Sequence, residues 1–216
     1  KPDGSGAELV ADGLFAPTGI GFNILGDGFV IDGDMASDVF LPWYSQARLF
    51  HVGQGGFHGW NGAATLPFDF PDVIDVSGWG GRIQPSALIV YRHFQFPGHA
   101  QGGVLMADWR FGRVYLWTMD GVASSYSATP QLILEPTGMN GMTFSGMAVA
   151  PDGSLLLSTG GRKTVGNVFR LRWTGASGAP STQTELEAVL SAAQPFEAWS
   201  RSNWEPLARA VGAVAF

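Results

Sequence analysis

A repeated unit restricts the fold of this chain more than any other feature. An apolar strand, a tight turn and a second apolar strand are followed by a basic residue that opens a third strand. The unit is read three times: in "TGIGFNILGDGFVIDG" from Thr18, with "RLFHV" further on; in "GGVLMADWRFGRVYLWTMDG" from Gly102; and in "SGMAVAPDGSLLLSTGGRKTVGNVFRLRW", which ends at Trp173. Val, Ile, Phe and Leu fill the strands, and Gly-Asp-Gly and Pro-Asp-Gly supply the turns. Glycine permits positive φ there, and proline presets the turn angle. A chain of 31 glycines and 13 prolines, with no collagen-like period, suits many short strands joined in this way.

Repeated strand–turn–strand units predict an all-β fold, a partial β-propeller of about three to four blades of antiparallel strands. The competing architecture, a β-sandwich, also has short strands but does not call for repeated units. Insertions after Trp60 and Gly121 space the units more widely than the roughly 40–45 residues of a WD-type blade. "LPFDFPDVIDVSGWGGRIQPS" is too rich in proline and glycine for central strands and reads as an excursion on one face.

After residue 173 the pattern changes. Residues 174–181 are small and read as a linker. Residues 182–216 are expected to form a helical tail: Thr182 and Glu185 have capping-box spacing, and Leu186, Val189 and Leu190 make an apolar stripe. Trp199, Trp204 and Leu207 continue the helical spacing, with a kink or new start at Pro206.

Charge and composition exclude several classes. A net charge of −6 argues against nucleic acid, whose phosphates need a basic face. No apolar run reaches the roughly 18 residues of a membrane span. Without cysteine there is no disulfide framework, thiolate zinc site or covalent haem motif. The start at Lys1, without methionine or leader, reads as a processed product or a fragment. No nucleophile elbow, paired-carboxylate motif or HExxH marks a hydrolase.

Four stretches in this order, "GLFAPTGIGF" from Gly13, "PWYSQARLFHVGQGGFHGW" from Pro42, "VLMADWRFGRVYLW" from Val104 and "APDGSLLLSTGGR" from Ala150, carry a resemblance. Residues 1–173 resemble the second half of the glucose/sorbosone dehydrogenase-like propellers, above all their bacterial membrane-bound dehydrogenase-domain branch. The resemblance implies an oxidoreductase, a sugar ligand, pyrroloquinoline quinone (PQQ) with calcium, and a periplasmic or extracellular location. It also implies that the blade with the histidine base lies N-terminal to everything present here, and that helical repeats and a cytochrome c module follow. A half ring would further need its missing N-terminal blades, a dimer partner or the tail as a cover.

Carried over residue by residue, the resemblance assigns cofactor binding to Arg110, in the place of a lysine. Phe15, Thr143 and Ser145 stand where it expects arginines. A tricarboxylate quinone in a water-poor pocket needs several positive groups. The resemblance therefore bears on the fold more than on the activity.

The remaining candidates have two readings each. Asp32, Asp34 and Asp38 in "DGDMASD" could offer oxygens to calcium, near the blade where the resemblance places that ion, or form a solvated turn. Asp108, Arg110 and Arg113 could meet an anion at the channel, or pin a turn as an Asp–Arg pair. "GGRKT", Gly160 to Thr164, could bind an anion or close a hairpin, and lacks P-loop spacing. His51 and His58 are read as structural, with the glycines around them turning a corner that Trp60 caps. Trp43, Tyr44, Trp60, Trp79 and Trp109 could stack on a sugar or fill blade cores.

Overall fold

The structure is a computed structural model that describes residues 2–34, 40, 44–62, 64–67, 69–138, 142–161 and 163–176. The linker beyond 176 and the expected tail, 182–216, lie outside the described residues.

Three antiparallel sheets follow one another along the chain. In the first blade, β2 (Pro17–Phe22), β3 (Gly28–Asp32), β4 (Ala47–Val52) and β6 (Gly78–Gly81) lie in the order β2-β3-β4-β6. Beside it, β1 (Ala11–Asp12) pairs in parallel with β5 (Gly56–Phe57). The second blade runs β7 (Pro85–Val90), β8 (Val104–Asp108), β9 (Arg113–Val122) and β10 (Ser125–Leu134), each paired with the next. The third has β11 (Phe144–Val149), β12 (Leu155–Gly161) and β13 (Thr164–Leu171). The first strands pack in sequence, β2 on β7 and β7 on β11, so the sheets are arranged radially. This is a partial propeller, all-β among the described residues apart from one 3-10 turn at Gly98–Ala100.

Blade stacking explains why the inner strands read as continuous apolar runs. Along β8, Val104 and Met106, with Trp117 of β9, join the core shared with the first blade, through Phe29, Ile31 and Leu49. Leu105 and Ala107 turn to the core shared with the third, through Phe144, Leu155 and Leu157. All five residues of β8 and of β3 are buried, because both faces of each sheet are covered.

Two details differ from the sequence reading. The proline- and glycine-rich excursion is shorter than expected, since β6 emerges from it as the outermost strand of its blade. Glycine is required there: a Cβ on Gly78 would lie 2.6 Å from the Trp117 ring and 2.7 Å from the Ala128 carbonyl oxygen. No insertion follows Gly121 either. The chain turns at once, with Ala123 at φ 52°, into β10, which pairs along β9. The repeat also starts at different strands: at the first strand of the first and third blades, but at the second strand of the middle one.

Candidate functional site

The connections β3–β4, β6–β7, β8–β9 and β12–β13 all lie at one end of the antiparallel strands, with the starts of β2, β7 and β11. That end gathers most of the polar residues singled out in the sequence.

Asp34 is the centre. Its side chain is 1% exposed and receives two bonds from Arg110, Nη1 to Oδ2 at 2.6 Å and Nη2 to Oδ1 at 2.7 Å, a fork-on-fork pair. Arg82 adds Nη1 to Oδ2 at 3.3 Å, and its guanidinium lies 4.6 Å from the centre of the Tyr44 ring. The carboxylate thus serves two guanidinium groups, from the second blade and from the β6–β7 connection. Asp108 does not pair with Arg110 through side chains. It accepts the amides of Gln84, Arg110 and Phe111, and so pins the turn by backbone bonds. Burial pushes its carboxyl above the usual range, against the opposing pull of those amides.

Asp32 faces elsewhere. Fully buried, it bonds Arg48 Nη2 at 2.7 Å and accepts the amides of Phe15 and Ala16, tying the entry of β2 to the sheet. Arg48 continues to the His58 carbonyl and lies 4.9 Å from the Phe50 ring centre. Asp32 and Asp34 therefore have separate guanidinium partners. Asp38 lies outside the described residues, and among the described residues no group of three His, Asp or Glu could hold a metal ion.

The histidines occupy structural surroundings. His58 is fully buried against Phe50, ring centres 4.4 Å apart, and neither ring nitrogen has a hydrogen-bond partner. Burial, then repulsion from Arg48, lowers its pKa to about 4. His51 lies between Asp27, at 3.8 Å, and Ser125, at 3.4 Å. Arg113 pairs at 3.7 Å with Glu135, away from Asp34. Gly161 pairs with Thr164 across a two-residue hairpin turn, with Lys163 at φ 63°; Arg162 lies outside the described residues. Trp60 packs edge-on against Phe15 at 4.8 Å, Tyr44 against Arg82, and Trp79 sits on the outermost strand; Trp43 is outside the described residues.

The positions assigned to quinone binding share this end of the blades but are neutral. Thr143 is buried and donates to the Gly160 carbonyl, Ser145 meets Ser158, and Phe15 meets Trp60 edge-on. Among the described residues at the assigned positions the one guanidinium, Arg110, is held on both nitrogens by Asp34. That does not fit three carboxylates. Sequence reading missed Arg82, whose signal was only a basic residue before the first strand of a blade.

No family model and no curated protein sequence matches this chain. Solved structures do. An oxidoreductase of Thermus thermophilus described as a glucose dehydrogenase shares 19% identity over 76% of this chain and 47% of its own, with a TM-score of 0.60. The PQQ-bound aldose sugar dehydrogenase of Streptomyces coelicolor shares 19% over 78% of this chain and 46% of its own, TM-score 0.57. The apo soluble aldose sugar dehydrogenase of Escherichia coli shares 14% over 77% and 48%, TM-score 0.58. The chain has a glucose/sorbosone dehydrogenase-like fold, and it spans about half the length of these structures.

Proposed function

We propose that this chain forms part of a sugar dehydrogenase-like propeller of the PQQ-dependent kind, in which its three blades build wall and end face without supplying the quinone site. The fold supports the kinship. One observation carries the restriction: the only matching cation, Arg110, is held by both nitrogens on buried Asp34, and neutral side chains stand at the other assigned positions. In the Asp34–Arg110–Arg82 cluster the Arg110 and Arg82 side chains are 21% and 31% exposed, and Arg82 lies beside the Tyr44 ring. Such a group suits sugar hydroxyls, which need directed donors and little net charge.

A second reading, a non-catalytic propeller that binds a carbohydrate or protein, draws on the same neutralised charge. The two part in one experiment. The chain is mixed with PQQ and calcium, desalted, and assayed for retained quinone absorbance and for dye reduction with aldoses. The proposal expects neither signal from this chain alone; stoichiometric retention of PQQ overturns it. Glycan or protein binding without dye reduction in any longer form of the protein favours the second reading. A periplasmic or extracellular location belongs to the same proposal. Among the described residues no helix is long and apolar enough to cross a membrane.

Calcium at Asp32, Asp34 and Asp38 stays part of the proposal only if the ion displaces arginine from Asp34. Calorimetric titration expects no heat at millimolar calcium if the guanidinium pairs hold, and saturable heat with a raised melting temperature if they yield.

A further inference from the structure

A cavity of 630 Å³ opens at the opposite end of the blades, where β7 leaves toward β8, β11 turns into β12 and β13 ends. Its volume is in the range of small-molecule sites. It is lined by His93, Phe94 and Gln95 from the second blade and by Asp152, Arg172 and Trp173 from the third. None of these belongs to the Asp34 cluster. We propose that this cavity is a carbohydrate-binding site that takes a pyranose unit.

The walls are built and braced. The Tyr91 hydroxyl, fully buried, donates to the Gly153 carbonyl at 2.7 Å and accepts the Phe96 amide, locking the β7–β8 connection onto the Pro151-Asp152-Gly153 turn. That turn fits under His93 only because residue 153 is glycine, at φ +80°; a Cβ there would lie 2.0 Å from the imidazole Nδ1. Gln95 grips the Trp173 backbone with both ends of its amide, Nε2 to the carbonyl at 2.7 Å and Oε1 from the amide at 3.1 Å. The indole N–H is used internally, on the Ala176 carbonyl at 3.0 Å. Trp173 therefore offers the cavity a ring face, 42% exposed as a residue, and Phe94 a second, 41% exposed.

Exposed aromatic faces beside planar polar groups match the two surfaces of a pyranose, its C–H patches and its hydroxyl edges. Asp152 accepts from the Ser154 hydroxyl and amide, bonds that hold its carboxyl below the ordinary range and ionised at neutral pH. Arg172 supplies donors. His93 accepts the Gln95 amide at Nδ1, which puts the proton of the neutral ring on Nε2, and burial favours that neutral form. Asp152, paired at 3.5 Å with Arg170 just outside the lining, and Arg172 offer an acceptor and donors to the hydroxyl edges of a sugar.

The test titrates the chain with free hexoses, disaccharides and soluble polysaccharides, read by calorimetry and tryptophan fluorescence. Saturable binding is expected, weakened about tenfold or more by Trp173→Ala and by Arg172→Ala, and kept by Arg113→Ala at the other end, whose guanidinium pairs with Glu135 away from both sites. Circular dichroism confirms folding. If Trp173→Ala does not fold, Phe94→Ala with Arg172→Ala decides. Binding by free hexoses assigns a monosaccharide site, and binding only by longer chains a polysaccharide surface; either supports the proposal. No saturable binding overturns it, as does binding that is unchanged in the cavity variants. Quinone uptake is not involved, so the PQQ experiment and this one fail independently.

Discussion

Asp34 and Arg110 are 76 residues apart, and Asp34 and Arg82 are 48 apart, yet one buried carboxylate binds both guanidinium groups. Arg110→Ala would leave Asp34 with the longer Arg82 contact alone, and urea denaturation should show a loss of about 2 kcal/mol. Arg113→Ala, which breaks an exposed pair with Glu135, should fall within about 0.5 kcal/mol of the parent. Equal effects would refute the view that Asp34 organises this end of the blades. His58 gives a second test at this scale. Its pKa of about 4 in the folded chain lies below the 6.5 of an unhindered imidazole, so between those values the unfolded chain binds the extra proton. Stability contributed by the neutral ring is complete above pH 6.5 and is lost as the pH falls toward 4, by roughly 3 kcal/mol in all. Thermal melts of parent and His58→Leu, compared between pH 7 and 4, should converge or cross on acidification. Parallel curves would mean that the imidazole does not titrate in this window. Nothing in "FHGW" shows that burial; it comes from Phe50 and Arg48 on the neighbouring strand.

Between elements, glycines decide how closely strands approach. On β2, Gly19 and Gly21 face β7, while Thr18, Ile20 and Phe22 face away. A Cβ on Gly19 would lie 2.7 Å from Leu88 Cβ and 2.9 Å from its amide nitrogen, so Gly19→Ala must push the first strands of two blades apart. Gly19→Ala and Gly78→Ala should each cost about 1–3 kcal/mol. Gly121→Ala, with open space around it in β9, should be neutral or stabilise by up to about 1 kcal/mol. Denaturation midpoints that failed to separate these classes would remove the close-packing argument. The same contrast marks what the sequence discloses. Apolar runs such as "GFVID" and "VLMAD", with Gly-Asp-Gly or Pro-Asp-Gly turns, announce buried strands, and the blades follow from them. The strand role of "GWGG" is invisible locally, because it depends on Trp117 and Ala128 from the next blade. The Gln95 grip on Trp173 is equally silent, since 78 residues separate two parts that meet only when the blades stack.

Across the whole molecule, the two end blades treat their outward faces differently. The first is partly covered: Asp32, Arg48 and Phe50 are buried beneath the segment that carries His58, and its exposed apolar residues are Ile20 at 56% and Phe22 at 46% on β2 and Trp79 at 44% on β6. The third is open. Among the described residues β13 pairs only with β12, and Val165 and Val168 are 82% and 71% exposed along it. A strand edge with apolar side chains and unpaired backbone groups is a template for another strand. The chain should therefore associate with itself as its concentration rises, through β13 first. Multi-angle light scattering at increasing concentration should show the apparent mass climbing above the 22.9 kDa of one chain. Val168→Lys, which places a charge on the open sheet without touching either buried core, should suppress that rise and leave the melting temperature unchanged. Ile20→Lys, on the better covered blade, should suppress it less. A parent chain that stays monomeric throughout would show that the open edge is covered in solution. An Ile20→Lys effect larger than that of Val168→Lys would move the contact to the first blade.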